Sequence, residues 1–220
     1  MTDSFAPLPD DAALMDALWS LVAERGWQST TLPALAERAG IDLPTLRGAV
    51  PTKFSLLCRH ARLVDQAVLA DAGLNPGGSP RDRLFDTLMR RIDALQPHRA
   101  GLVRFGRELR HDPLLGLALA PVLGASMAWM LEAARIESCG LLGTLRVQGL
   151  GAAWIATLRA WEQDDSVDLG QTMAALDKAL DKAERAARWL KLDRDGDQPS
   201  GETPAAPPPS SAPASPDPID

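Results

Sequence analysis

The sequence predicts an all-α fold made of two helical units, and three observations carry that prediction. Between Thr31 and Leu57, two short helices meet at a tight turn, each with its own capping residues. Beyond a Gly/Pro cluster at residues 73–80, every segment repeats apolar residues at helical spacing. The last of these segments carries a heptad seam from Leu169 to Leu190. With 220 residues and 45% hydrophobic content, the chain can bury a full core, as one domain or as two small ones packed together.

The first ten residues are polar and acidic, and residues 1–10 are expected to be disordered. Asp10, Asp11 and Asp16 suit the dipole at the start of a helix that runs from about Asp11 to Arg25, with Leu14, Leu18, Leu21 and Val22 on one face. Thr30 or Thr31 can cap the next helix, because a hydroxyl accepts one of its orphan backbone N–H groups. Leu32, Leu35, Ala36 and Ala39 form its buried face, and Gly40 closes it in the left-handed conformation that glycine adopts without steric cost. Asp42 opens a brief third helix, Leu43 to Val50, whose first turn accepts Pro44, and Pro51 ends it. The pattern is a helix-turn-helix. A fourth helix is predicted from Lys53 to Ala72, with Leu56, Leu57, Leu63, Val64, Ala67 and Val68 as its apolar stripe. The first unit is therefore 11–72, and the second is 80–192.

In the second unit Ser79 caps a helix with Leu84, Phe85, Leu88, Met89, Ile92 and Leu95 at helical spacing, and Pro97 and Pro113 can each start another. The run from Leu114 to Leu131 contains no charge, a length that could span a bilayer. Its Ala and Gly content, Pro121 and the lack of basic flanks favour a buried central helix, apolar all round. A long helix follows from about Leu141 to Gln163. The final one, with Ser166 as a plausible cap, places Leu169, Met173, Leu176, Leu180, Ala183, Ala187 and Leu190 at alternating steps of four and three, a spacing that suits a helix-helix dimer interface. Residues 193–220 are rich in Pro, Ala and Ser and cannot pack a core, so a disordered tail is expected.

Composition narrows the chemistry. A net charge of −6 argues against indiscriminate nucleic-acid binding, although Arg38, Arg47, Lys53, Arg59 and Arg62 make a weakly basic patch around the helix-turn-helix. Cys58 and Cys139 lie far apart, which suggests a reducing compartment without a disulfide framework. His60, His98 and His111 have no metal-ligand spacing, and no metal or cofactor is expected. No nucleophile elbow or phosphate-cradling glycine loop is present, so the chain reads as a non-enzyme. With no apolar opening segment, a cytoplasmic location is expected.

The stretch that carries Ala17, Ala23, Gly26, Trp27, Thr30, Thr31, Leu35, Ala36, Ala39, Gly40, Ile41, Thr45, Pro51, Lys53 and Leu56 resembles the N-terminal domain of TetR-type transcriptional regulators. It departs from that pattern at Asp42, Pro44, Arg47 and Val50, on the recognition helix itself. The resemblance implies a homodimer that binds a double-stranded DNA operator, as a repressor released by an apolar small molecule in its C-terminal domain. By position, Leu43, Thr45, Arg47 and Gly48 are the DNA-facing candidates, with Lys53 and Thr31 on the backbone. Phe85, Phe105, Met127, Trp129, Met130, Trp154 and Trp161 are either core or the lining of an apolar pocket. A second resemblance stays open. Pro97-His98, Trp129, the run from Trp161 to Ser166, Thr172 and Leu176-Asp177 are similar to the TetR-fold lipid-binding accessory protein of ubiquinone biosynthesis. That likeness implies a relic helix-turn-helix and a bound isoprenoid or other lipid.

Overall fold

The computed structural model describes residues 10–71 and 77–189. Among these residues nine α-helices and one 3-10 turn follow one another without a strand. They are α1 (Asp11–Arg25), α2 (Leu32–Ala39), α3 (Leu43–Ala49), α4 (Lys53–Asp71), α5 (Pro80–Leu95), the 3-10 turn (Gln96–His98), α6 (Arg99–Leu109), α7 (Pro113–Ala133), α8 (Gly140–Trp161) and α9 (Gly170–Trp189). Half of the predicted linker (residues 73–76), the first nine residues, Leu190 and the whole Pro/Ala/Ser-rich stretch from residue 193 lie outside the described residues.

Local chemistry sets most of the helix ends. Thr31 caps α2 by accepting from the Ala34 N–H, and Gly40 closes it at φ 69°. Ser79 and Asp82 form a reciprocal capping box at the start of α5. Two ends differ from expectation. Pro97 sits inside the 3-10 turn, whose tighter pitch carries α5 into α6, so α6 starts at Arg99. Ser166 does not cap α9. Its backbone N–H and hydroxyl both donate to Asp164, whose other oxygen accepts from the Thr172 N–H and hydroxyl at 2.8 Å each. Asp164 is therefore a buried tie between the end of α8 and the first turn of α9, not a solvated helix terminus. The Ser166 hydroxyl, then the Thr172 and backbone donors, hold its carboxyl well below the usual carboxylate range.

Two apolar cores result. The first joins Leu14, Leu18, Leu21 and Val22 of α1 to Leu35 of α2, Leu46 of α3, Val50 and Leu56. The second gathers Val64 and Val68 of α4 with Leu88 and Ile92 of α5, Met127 and Met130 of α7, Leu150 and Trp154 of α8, and Leu176 and Leu180 of α9. Helix α4 thus gives its first half to one core and its second half to the other. Helix α6 closes the first core from outside, with Leu102 and Phe105 packed against it. The Phe105 ring meets both Trp19 and Trp27 edge-on, at centroid distances of 5.9 and 5.4 Å.

The approach of α6 to α1 is close because residue 101 is glycine. A Cβ there would lie 2.4 Å from the Trp19 carbonyl oxygen. Along the same contact Arg104 donates to the Ala23 and Glu24 carbonyls at 2.9 Å each, satisfying acceptors that the end of α1 leaves open. Glu108 Oε2 accepts from the Gln28 N–H at 3.1 Å, and Asp112 Oδ2 from the Gln28 side-chain amide at 3.2 Å.

Two expectations for the C-terminal helices are corrected. Helix α7 is not a buried central helix, since only 22% of its apolar window is buried. Leu114, Leu117 and Trp129 are 79%, 72% and 57% exposed, and they mark one stripe along the helix with Ala118, Pro121 and Ala125. The heptad seam of α9 turns inward rather than outward. Leu169, Leu176 and Leu180 are buried in their own core, Ala183 and Ala187 are half-buried, and among the described seam residues only Met173 is exposed. A seam at this spacing packs against whichever helix meets it, and here α8 and α5 of the same chain do.

Gly101→Ala is expected to lower stability by about 1–3 kcal/mol, because its methyl group meets backbone that cannot step aside. Gly116→Ala in α7, where a Cβ meets nothing within 4 Å, should instead add about 0.5–1 kcal/mol. Urea unfolding of both variants checks the pair, and equal effects would contradict the close contact.

Candidate nucleic-acid interface

Helix α3 is seven residues long and held from both ends. Asp42 caps it, its Oδ1 accepting from the Thr45 N–H at 2.8 Å, and the Thr45 hydrogen bonds lower the Asp42 pKa. On the inner side Leu46 and Val50 are buried in the first core. Val50, a departure from the regulator pattern, is thus a packing residue. On the outer side Leu43, Pro44, Arg47 and Gly48 are exposed, while Thr45 is half-buried. No hydrogen bond or ion pair holds Arg47 among the described residues.

The two predicted backbone-contacting residues are engaged inside the chain. Thr31 uses its hydroxyl to cap α2. Lys53 points its ammonium at the Trp27 carbonyl and lies 4.3 Å from the centroid of the Trp27 ring. Burial pushes its pKa down, against a smaller upward pull from Glu108. Two other cations near the motif, Arg38 and Arg59, are paired as well. Arg38 bonds Glu24 at 2.8 Å and Ser20 at 2.6 Å, and Arg59 pairs with Asp11. The outer face of α3 therefore carries Arg47 as an uncommitted charge on an otherwise neutral helix.

The seven residues predicted as core or pocket lining do not share one place. Met127, Met130, Trp154 and Trp161 are buried in the second core, with Phe85 packed against it. Phe105 belongs to the first core, and Trp129 faces away from both. The second core also holds a buried ion pair, between Arg91 of α5 and Asp65 of α4, that no local sequence pattern announces. The other Asp65 oxygen accepts from the Ser126 hydroxyl at 2.8 Å, and the Arg91 guanidinium sits 5.4 Å from the Trp154 ring centroid. Its Nε is buried and without a partner among the described residues. An open groove of about 590 Å³ lies elsewhere, along α1 and α6, lined by Ala23, Val103, Arg104, Arg107, Glu108 and His111 among others. None of the seven predicted residues lines it. The α6 residues that bind α1 were also missed, although Gly101, Arg104 and Glu108 fall on one helix face at steps of three and four.

The assembly of helix-turn-helix, connecting helix and second helical core is the TetR-type regulator fold. Among solved structures the chain is similar to a TetR transcriptional regulator from Nitrosomonas europaea, with a TM-score of 0.63 and 21% identity, covering 80% of this chain and 98% of that one. A TetR transcriptional regulator from Rhodococcus gives 0.59 at 18% identity, covering 78% and 93%. A TetR-family transcriptional regulator from Streptomyces coelicolor gives 0.56 at 16% identity, covering 83% and 84%. No protein-family model matches the chain, and no curated protein matches it in sequence. At these identities the likeness is one of fold.

Because Asp42 acts as a cap, Asp42→Ala should cost about 1 kcal/mol of stability, whereas Asp42→Ser, which keeps an acceptor, should be nearly neutral. Thermal melts of the two variants separate the cap from a role confined to the charge.

Proposed function

We propose that this chain is a DNA-binding transcriptional regulator of the TetR type, acting as a homodimeric repressor with α3 as its recognition helix. The observation that supports this most is the state of α3, which is capped, anchored by Leu46 and Val50, and open on the face of Leu43, Arg47 and Gly48. A helix presented in this way can enter a major groove, where Arg47 reaches a guanine edge or a phosphate. The acidic net charge gives little general attraction to DNA, so recognition rests on few contacts.

The dimer surface in this proposal is the outward face of α8. Leu141, Leu145, Gln148, Ala152 and Ile155 recur there at steps of four and three, and Leu141 is 79% exposed and Ile155 42%. Control by an apolar small molecule belongs to the same proposal. Its place is the second core around Phe85, Met127, Met130, Trp154 and Trp161, where the Asp65–Arg91 pair supplies polar anchors.

Binding to DNA from the chain's own promoter region, measured across salt concentrations, tests the DNA reading. Arg47→Ala should weaken it by about 1–3 kcal/mol and relax specificity if it reads a base. A phosphate contact would instead weaken all sequences alike and flatten the salt dependence. Wild-type protein that binds its promoter no better than random DNA at low salt, with a co-purified isoprenoid lipid, would overturn this reading. For the dimer, Leu145→Asp with Ile155→Asp should give folded monomers by light scattering, and an unchanged mass would move the interface elsewhere. Leu176→Asp should unfold the chain, since its site is buried in the second core.

A further inference from the structure

Helices α7 and α8 carry apolar residues on two sides. Met127, Met130 and Leu131 of α7 and Leu150, Trp154 and Trp161 of α8 are buried in the second core. The sides turned away from that core are open. On α8 they show Leu141, Leu145, Ala152 and Ile155, and on α7 Leu114, Leu117, Ala118, Pro121, Ala125 and Trp129. The helices lie side by side. A Cβ on Gly124 would sit 4.0 Å from Val147 Cγ1, and one on Gly151 would sit 3.9 Å from Leu123 Cδ2. One step forward along α7 thus meets a step backward along α8, so the pair is antiparallel and the two open faces are neighbours.

We propose that a second copy of this chain covers α7 as well as α8, so that the dimer is a four-helix bundle of two α7–α8 hairpins about a twofold axis. This rests on the dimer surface proposed above for α8 and adds α7 to it. Size supports the addition. A stable interface takes about 20–30 residues from each partner. Eleven residues of α8 are exposed, too few alone, and nine on α7 bring the hairpin to the lower end of that range. Spacing supports it as well. Leu114, Ala118, Pro121 and Ala125 follow at steps of four, three and four, as Leu141, Leu145, Gln148 and Ala152 do on α8. That period suits helices packed at about 20°. Ala118, Pro121 and Ala125 on α7, with Gly149 and Ala152 on α8, keep the middle of the surface small, which lets two hairpins approach closely.

Charge separates this occupant from the others. About a twofold axis a face meets itself, so a cation near the axis would oppose its own copy. Of the exposed residues on α7 and α8, only Glu132 and Arg159 are charged. Helix α9 is different. Its carboxylates face α5, where Arg81 lies 2.6 Å from both Asp177 and Asp181 and 3.9 Å from Glu184. Lys178, Lys182 and Arg185 are left on its exposed side, and burying them against their copies would be costly. A lipid surface also accepts an uncharged face, but such binding draws on Lys and Arg beside it, and Arg159 is the one exposed cation of the two helices.

Sedimentation equilibrium of the full-length protein over a range of concentrations reads the dimer directly. Leu117→Asp with Ala125→Asp alters exposed side chains, so this variant should stay folded by circular dichroism while its dimer dissociation constant rises about a hundredfold. Trp129→Ala, a milder truncation of the same stripe, should raise it about tenfold. Lys182→Glu with Arg185→Glu on α9 should leave it unchanged, and a loss equal to that of the α7 variants would move the interface to α9 and overturn the proposal. A wild-type constant in both α7 variants, with Leu145→Asp and Ile155→Asp still giving monomers, would confine the interface to α8 and overturn it too. A wild type that is monomeric throughout would remove the α8 surface along with it. Vesicles of phosphatidylcholine and phosphatidylglycerol should not carry the protein down. Cosedimentation that Leu117→Asp with Ala125→Asp abolishes would assign the face to a lipid surface instead.

Discussion

The contact on which the rest of this structure depends is the close packing of α6 against α1 at Gly101. Because residue 101 has no side chain, the two helices approach until α6 backbone nearly touches the Trp19 carbonyl. That approach brings Arg104 to the open carbonyls at the end of α1 and Glu108 to the Gln28 N–H in the following turn. It also seats Phe105 between Trp19 and Trp27. The Arg104 bonds satisfy carbonyls that the end of α1 would otherwise leave open and the Glu108 bond satisfies an N–H of the turn, so the clamp draws on packing and hydrogen bonding at once. The helix-turn-helix is consequently completed by an element from the other half of the chain.

Helix α4 makes the second connection. Its first half supplies Leu56 and Leu57 to the helix-turn-helix core, and its second half supplies Val64, Val68 and Asp65 to the other. His60 stands between the two, bonded to Trp19. A change in the second core that shifts α4 therefore reaches α1 by two routes, through the His60 contact and through α6. This arrangement gives a physical path from the second core to the placement of α3, which the ligand control proposed above would use if the Asp65–Arg91 pair or its neighbours move.

Much of the architecture was legible because it is written in short-range chemistry. Thr31, Gly40, Asp42 and Ser79 act where their residue types favour them, and helices bounded by such caps fall where the sequence places them. What was not legible depends on partners distant in sequence. Uncharged residues from 114 to 131 read the same for a core helix and for one with an open apolar face, and α7 has the open face. A heptad period shows that Leu176 and Leu180 meet a helix but not which one, and they meet helices of their own chain. Lys53 occupies the position expected of a DNA contact, yet Trp27, brought near by the fold, takes its ammonium. Arg91 and Asp65, twenty-six residues apart, gave no local sign of pairing. On the candidate DNA surface the sequence pointed to α3, while the exposure and engagement of each side chain come from the structure.

Differential scanning calorimetry of the full-length protein at neutral pH tests the central claim most directly, that α6 and α4 bind the helix-turn-helix and the second core into one cooperative body. Such coupling predicts a single transition whose calorimetric and van't Hoff enthalpies agree for the cooperative unit. Two resolved transitions, with the helix-turn-helix melting first while the second core stays intact, would contradict it.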